Sequence, residues 1–264
     1  MNFNFLIAFL LPILAGLMYF AMAAEVRRTG KFRSIMFGDI GFKKIETAFI
    51  LFGIYFITRP LQNILGPNPM PLIVNCLRQF FLMAVIAPSI LVAIFHWVPT
   101  PSGAPHSSKF AAYTVGALMG IIFILLNTLA VTGSKVLSTW GFITLYDPVW
   151  FQSANPPIQL ILIHLICQLV SPVGFLLLAA AYVRHRRHSY QLANIYNLIP
   201  TKWIYLEASL LIFAGSFIIA GLTTLFGAYY MYVWVIYFMG ALVSGFFEMK
   251  SIKLPPRDTP KDLK

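Results

Sequence analysis

This chain has little charge, and most of what it has is basic. Asp, Glu, Lys and Arg make up 10% of its 264 residues, where soluble domains carry about 25%. With a mean hydropathy of +0.80, that shortage excludes an ordinary soluble domain and points to an integral membrane protein. Acid is scarcest. There are eight Asp and Glu residues, and Glu207 alone lies within an apolar stretch, close to its end. Catalysis by paired carboxylates therefore has no material in the spans. Transport coupled to protons or sodium, which uses intramembrane acids and often two similar halves, finds neither.

Cysteine is nearly absent as well. Cys76 and Cys167 each fall in an apolar stretch, where a thiol serves as a small buried hydrophobe, so neither a disulfide framework nor a metal spacing follows. His164 is the one histidine deep in such a stretch, and a haem held across two helices wants paired axial ligands. Phosphate loop, dinucleotide fingerprint, HExxH, nucleophile elbow and CxxC are all missing. The chain is not expected to be an enzyme, and no catalytic residue, metal or cofactor is assigned.

What the chain does have is apolar length. Seven stretches are long enough to cross a bilayer: roughly Phe3 to Ala23, Ala48 to Leu65, Leu72 to Trp97, Phe110 to Gly133, Pro157 to Val183, Ile204 to Phe226 and Ala228 to Phe247. The last two form one run, divided at Phe226 and Gly227 because a single helix of that length would overshoot. Ala21-Met22-Ala23 resembles a signal-peptidase site, but Met1 to Phe5 has no basic residue, so the first stretch is read as a span.

Placing the N-terminus outside puts all but three of the nineteen Lys and Arg residues on the inner side; the exceptions are Lys135, Arg59 and Arg78. The expected fold is thus an all-α membrane protein, a seven-transmembrane-helix bundle over residues 1–249 with its N-terminus outside. Residues 250–264 form a basic, proline-containing cytoplasmic tail. A net charge of +11 is explained by anionic phospholipid at the cytoplasmic face of the bilayer and calls for no nucleic acid. A bacterial inner (plasma) membrane is the expected location.

Arg59 and Arg78 are the exceptions that matter. Each lies about seven residues from the turn Gly66 to Pro71, hence roughly 10 Å below the membrane surface at about 1.5 Å per residue. They share one depth in the outer leaflet. A charge there marks a functional site by default. Gln62, Asn63, Asn75 and Gln79 add amides at a similar depth, so the six together predict a polar pocket opening outward. Pro60 removes a backbone donor and disfavours helix at the residue before it, which predicts a kink at Arg59. Asp147 is the sole carboxylate on the outer side and completes the candidate ligand-binding set as a counter-ion for one arginine.

Other segments are read from composition. Glu25 to Glu46 mixes charge, glycine and apolar residues, as a short amphipathic segment on the cytoplasmic surface does. Gly116 and Gly120 match the small-xxx-small pattern of close helix packing, within the chain or between copies. Ser134 to Asn155 is a large aromatic outer loop of interfacial-belt character. Tyr229, Tyr230, Tyr232 and Trp234 either line the pocket or join that belt. The outline is similar to the seven-helix input domains of bacterial signalling proteins, which precede a cytoplasmic kinase, cyclase or DNA-binding domain. That outline implies a receptor-like module in signal transduction; Arg59 and Arg78 imply a small anionic or carbonyl ligand, and the signal is expected to pass to a separate cytoplasmic partner. Two alternatives stay open: a structural or assembly subunit of a membrane complex, and an uncoupled transporter for a small anion or lipid.

Overall fold

A computed structural model of the chain describes residues 3–37, 39–64, 70–82, most of 113–125, 131–150, 158, 162, 200–225 and 230–253, with the backbone alone in parts of these. Helix dominates. Helix α1 starts as Phe3–Phe5, passes through a π-helical stretch, Leu6–Leu10, and continues as Leu11–Phe37. Pro12 accounts for that irregularity: it has no N–H for the carbonyl of Ala8, so the ladder cannot keep its i−4 spacing there. Helix α2 is Asp39–Ile64 and helix α3 is Met70–Phe81. Strands β1 (Val131–Trp140) and β2 (Ile143–Trp150) follow, then helices α4 (Pro200–Leu225) and α5 (Tyr230–Lys253).

Among the described residues, two helices, Phe3–Thr29 and Trp234–Lys253, are long and apolar enough to cross a membrane. Their setting suits a lipid solvent. Leu17, Ile54, Leu61, Leu77, Leu211 and Phe246 are exposed, whereas Ser209, Ser216, Ser244 and Ser251 are buried. Helices in hydrocarbon gain from close packing and from hydroxyls bonded across helices, not from hiding leucine. The Ser209 and Ser244 hydroxyls, 2.9 Å apart, join α4 to α5 in this way.

The core lies where α1 packs on both α2 and α5, with α4 against α5 and α3 against α2. Tyr19 is at its centre, stacked on Phe52 and Phe56 with centroids 5.2 and 5.3 Å away. Phe56 in turn meets Tyr237 and Phe238 of α5. Gly16 permits the α1–α2 approach, since a Cβ there would sit 2.9 Å from the carbonyl oxygen of Gly53.

Several expectations are corrected. The described residues are not all helical: within the segment expected to be an outer loop lies an antiparallel hairpin whose two-residue turn is Gly141-Phe142. Gly141 takes φ +59°, which glycine alone adopts freely and which a hairpin turn of this length requires. The apolar stretch expected to be helical through Gly133 gives way to strand at Val131. Leu145 is fully buried beside Phe5 and Ala8, and Trp140 lies 4.5 Å from Phe5, so the hairpin seats on the first turns of α1. The segment Glu25 to Glu46 is not a separate surface element either. Helix α1 runs through it to Phe37 and α2 starts at Asp39. The run containing Phe226 and Gly227 does divide there into α4 and α5. Helix α2 continues across Pro60 to Ile64. Of the third span, Met70–Phe81 is described; almost all of the fifth, with His164 and Cys167, lies outside the described residues. Gly120 faces Phe80 of α3, where an added Cβ would lie 2.8 Å from the ring, so this glycine serves packing within the chain.

Candidate functional site

Helical periodicity assembles the site. On α2, Tyr55, Arg59 and Asn63 recur every four residues and so share a face. On α5, Trp234, Tyr237, Phe238 and Ala241 follow the i, i+3, i+4, i+7 spacing of an inward stripe, and the last three are buried. Helix α3 brings Arg78 against α2.

The two arginines come together and are covered, at 5% and 6% exposure. Arg78 Nε donates to the Tyr55 carbonyl at 3.0 Å and to Thr58 Oγ1 at 3.2 Å. Its guanidinium carbon lies 4.5 Å from the centre of the Tyr55 ring. Pro60 matters here in a way its position alone does not reveal. It cannot donate to the carbonyl of Phe56, and Arg78 bonds the adjacent carbonyl in that weakened turn. Arg59 places its guanidinium carbon 4.2 Å over the Trp234 ring of α5. Desolvated cation–π contacts of this kind contribute about 2 kcal/mol. The two positive charges act on one another across the site.

Asn63 is 2% exposed and crosses to α1, donating from Nδ2 to the Ala8 carbonyl at 3.1 Å. That is the carbonyl which Pro12 cannot serve. The site therefore ties α2 to α1 through Asn63, to α3 through Arg78 and to α5 through Arg59.

Of the residues named from sequence, Arg59, Arg78 and Asn63 are all buried, and Asn63 turns to α1. Gln62 is on α2 and Asn75 and Gln79 are on α3, with their side chains outside the described residues. Asp147 is on β2, where the strand register sets it opposite Lys135. Its side chain lies outside the described residues. Trp234 lies beneath the Arg59 guanidinium. Tyr55, Thr58 and Tyr237 were not foreseen. Tyr55 was legible as the residue one turn before Arg59, and Tyr237 as the residue one turn after Trp234.

Chemically, the arrangement is a pair of permanently charged planar donors held on aromatic faces. Guanidinium groups in such settings bind oxyanions and carbonyl oxygens through forked hydrogen bonds. Among the described residues, no group of three or more His, Cys, Asp or Glu side chains is placed to hold a metal. No protein-family model matches the chain, and neither a curated protein nor a solved structure does.

Proposed function

We propose that this chain is a seven-helix protein of the bacterial inner membrane, N-terminus outside, that acts as a receptor-like input module. A small anionic or carbonyl-bearing ligand reaches Arg59 and Arg78 from the outer side, and the change passes to a separate cytoplasmic partner. The basic inner face rests on anionic phospholipid. The observation that carries this reading is the meeting of two guanidinium groups in one aromatic-walled cluster built from α2, α3 and α5. An anion between them relieves their mutual repulsion and draws the three helices together. That is the differential interaction with two packing states that a ligand needs to shift an equilibrium.

A structural subunit is the competing reading, and it has its own support: Arg78 bonds a helix carbonyl, as a fixed staple does. Thermal unfolding of the detergent-purified full chain separates the two, because a ligand that binds only the folded state raises its stability by mass action. A soluble anion should raise the midpoint of the wild type and leave the Arg59→Gln, Arg78→Gln double variant unmoved. Stabilisation by no soluble anion, with copurification of a partner, would instead establish the structural subunit.

A further inference from the structure

Near Arg59 one polar group is buried and, among the described residues, has no hydrogen-bond partner. Asn63 lies one turn beyond Arg59 on the same face, about 6 Å along the axis. Its Nδ2 bond to the Ala8 carbonyl settles which end of the amide is nitrogen, because a carbonyl can only accept. Oδ1 is then the other end, and among the described residues no donor reaches it. Tyr237, 3% exposed, packs on the Trp234 ring with centroids 5.8 Å apart.

A buried acceptor left unserved costs about 1–3 kcal/mol, and native structures keep such groups where something else supplies the donor. Arginine cannot be the whole recognition device, because it attracts any anion. Asn63 Oδ1 adds the opposite demand: the bound molecule must bring a proton to it. We propose that the ligand of the arginine site is an oxyanion that carries its own hydroxyl, namely a hydrogenphosphate or the phosphate monoester of a headgroup. This rests on the anion-receiving reading above and narrows it. Sulfate has the same tetrahedral shape and satisfies the guanidinium groups equally well, but near neutral pH it has no proton and sets an oxygen against the Asn63 carbonyl. Sites built to bond a ligand hydroxyl reject analogues that lack it, because the buried partner is then left unserved.

The test is the unfolding midpoint of the purified full-length protein at about pH 6, close to the second ionisation of a phosphate ester. It is titrated with sodium phosphate and sodium sulfate at matched ionic strength. Phosphate should bind about tenfold more tightly than sulfate, and Asn63→Ala should bring the two within about twofold of each other, tenfold being about 1.4 kcal/mol. If Asn63→Ala does not fold, the wild type answers alone: methyl phosphate, which has a P–OH, should stabilise it, and dimethyl phosphate, which has none, should not. Short-chain phosphatidic acid separates the sources. A response to it without one to free phosphate assigns the monoester to a lipid, and the reverse assigns it to solution. Equal response to phosphate and sulfate, or a preference that survives Asn63→Ala, overturns the hydroxyl requirement and leaves the anion site standing. No response to any of these anions overturns both.

Discussion

Arg59 and Arg78 are held by different contacts, and single substitutions separate them. Arg78 uses Nε to reach Tyr55 O and Thr58 Oγ1. Lysine has one charged nitrogen at the end of a flexible stem and cannot reproduce that reach while keeping the plane over Tyr55. Arg78→Lys is expected to lose about 1.5–3 kcal/mol of stability, the range for hydrogen bonds to charged groups, read as a lower unfolding midpoint. Arg59 depends on Trp234. Trp234→Leu should cost about 0.5–2 kcal/mol beyond its change in packing. In a double-mutant cycle with Arg59→Gln, that excess should vanish. An equal cost in both backgrounds would show that the stacking carries no energy.

At this scale the arginines and Asn63 were legible because a polar group in an apolar stretch stands out. Their covers were not. Tyr55, Trp234 and Tyr237 sit among many aromatics of the same kind, and which of them face the charges depends on how α5 turns against α2. Pro12 is a second case: its effect on Ala8 can be read from the chain, but that Asn63 takes the vacated carbonyl cannot.

Among the elements, the α1–α2 pair and the hairpin carry the clearest predictions. A side chain at position 16 would meet Ile57 and the Gly53 carbonyl. Gly16→Val should therefore force the two helices apart and cost about 1–3 kcal/mol by overpacking, again as a loss of thermal stability. Gly141 has open space around it but an unusual backbone. Gly141→Val should cost about 1–3 kcal/mol through strain alone. Because that strain is confined to the turn, the variant should be cut faster by protease between Val131 and Trp150 while its helices melt as in the wild type.

The hairpin is legible in the sequence, although the segment reads first as an aromatic loop. Val131 to Trp140 and Ile143 to Trp150 are rich in β-branched and aromatic residues, and Gly141-Phe142 between them is a two-residue hairpin signal. Hydropathy concealed it, since Val131 to Gly133 prolong the apolar run before them. The division of the last long run into α4 and α5 was legible for a firmer reason, bilayer thickness. The continuous helix from Leu11 to Phe37 was not, because polar sequence flanking an apolar stretch is equally consistent with helix and with loop.

For the whole molecule, the distribution of side chains is the main support for a lipid setting. Leu17, Ile54, Leu61 and Leu77 face outward while Ser209, Ser244, Asn63, Arg59 and Arg78 are buried, a pattern that lipid accommodates better than water. The input-module reading adds orientation: the hairpin and the arginine site face the outer compartment, and the basic residues after α5 face the cytoplasm. Lys135 and Asp147 share the hairpin register, so the hairpin adds no net charge from that pair to oppose an exported position.

Phe142, at the hairpin tip, is 100% exposed and can take a reporter without disturbing packing. With Cys76→Ala and Cys167→Ala removing the native thiols, Phe142→Cys and Lys261→Cys are made separately, and intact cells are treated with a membrane-impermeant maleimide. The account predicts that position 142 is labelled on intact cells and position 261 only after the membrane is opened. Labelling of 142 only after opening, or of 261 from outside, would put the arginine site on the wrong side of the membrane and contradict an outward-facing receptor.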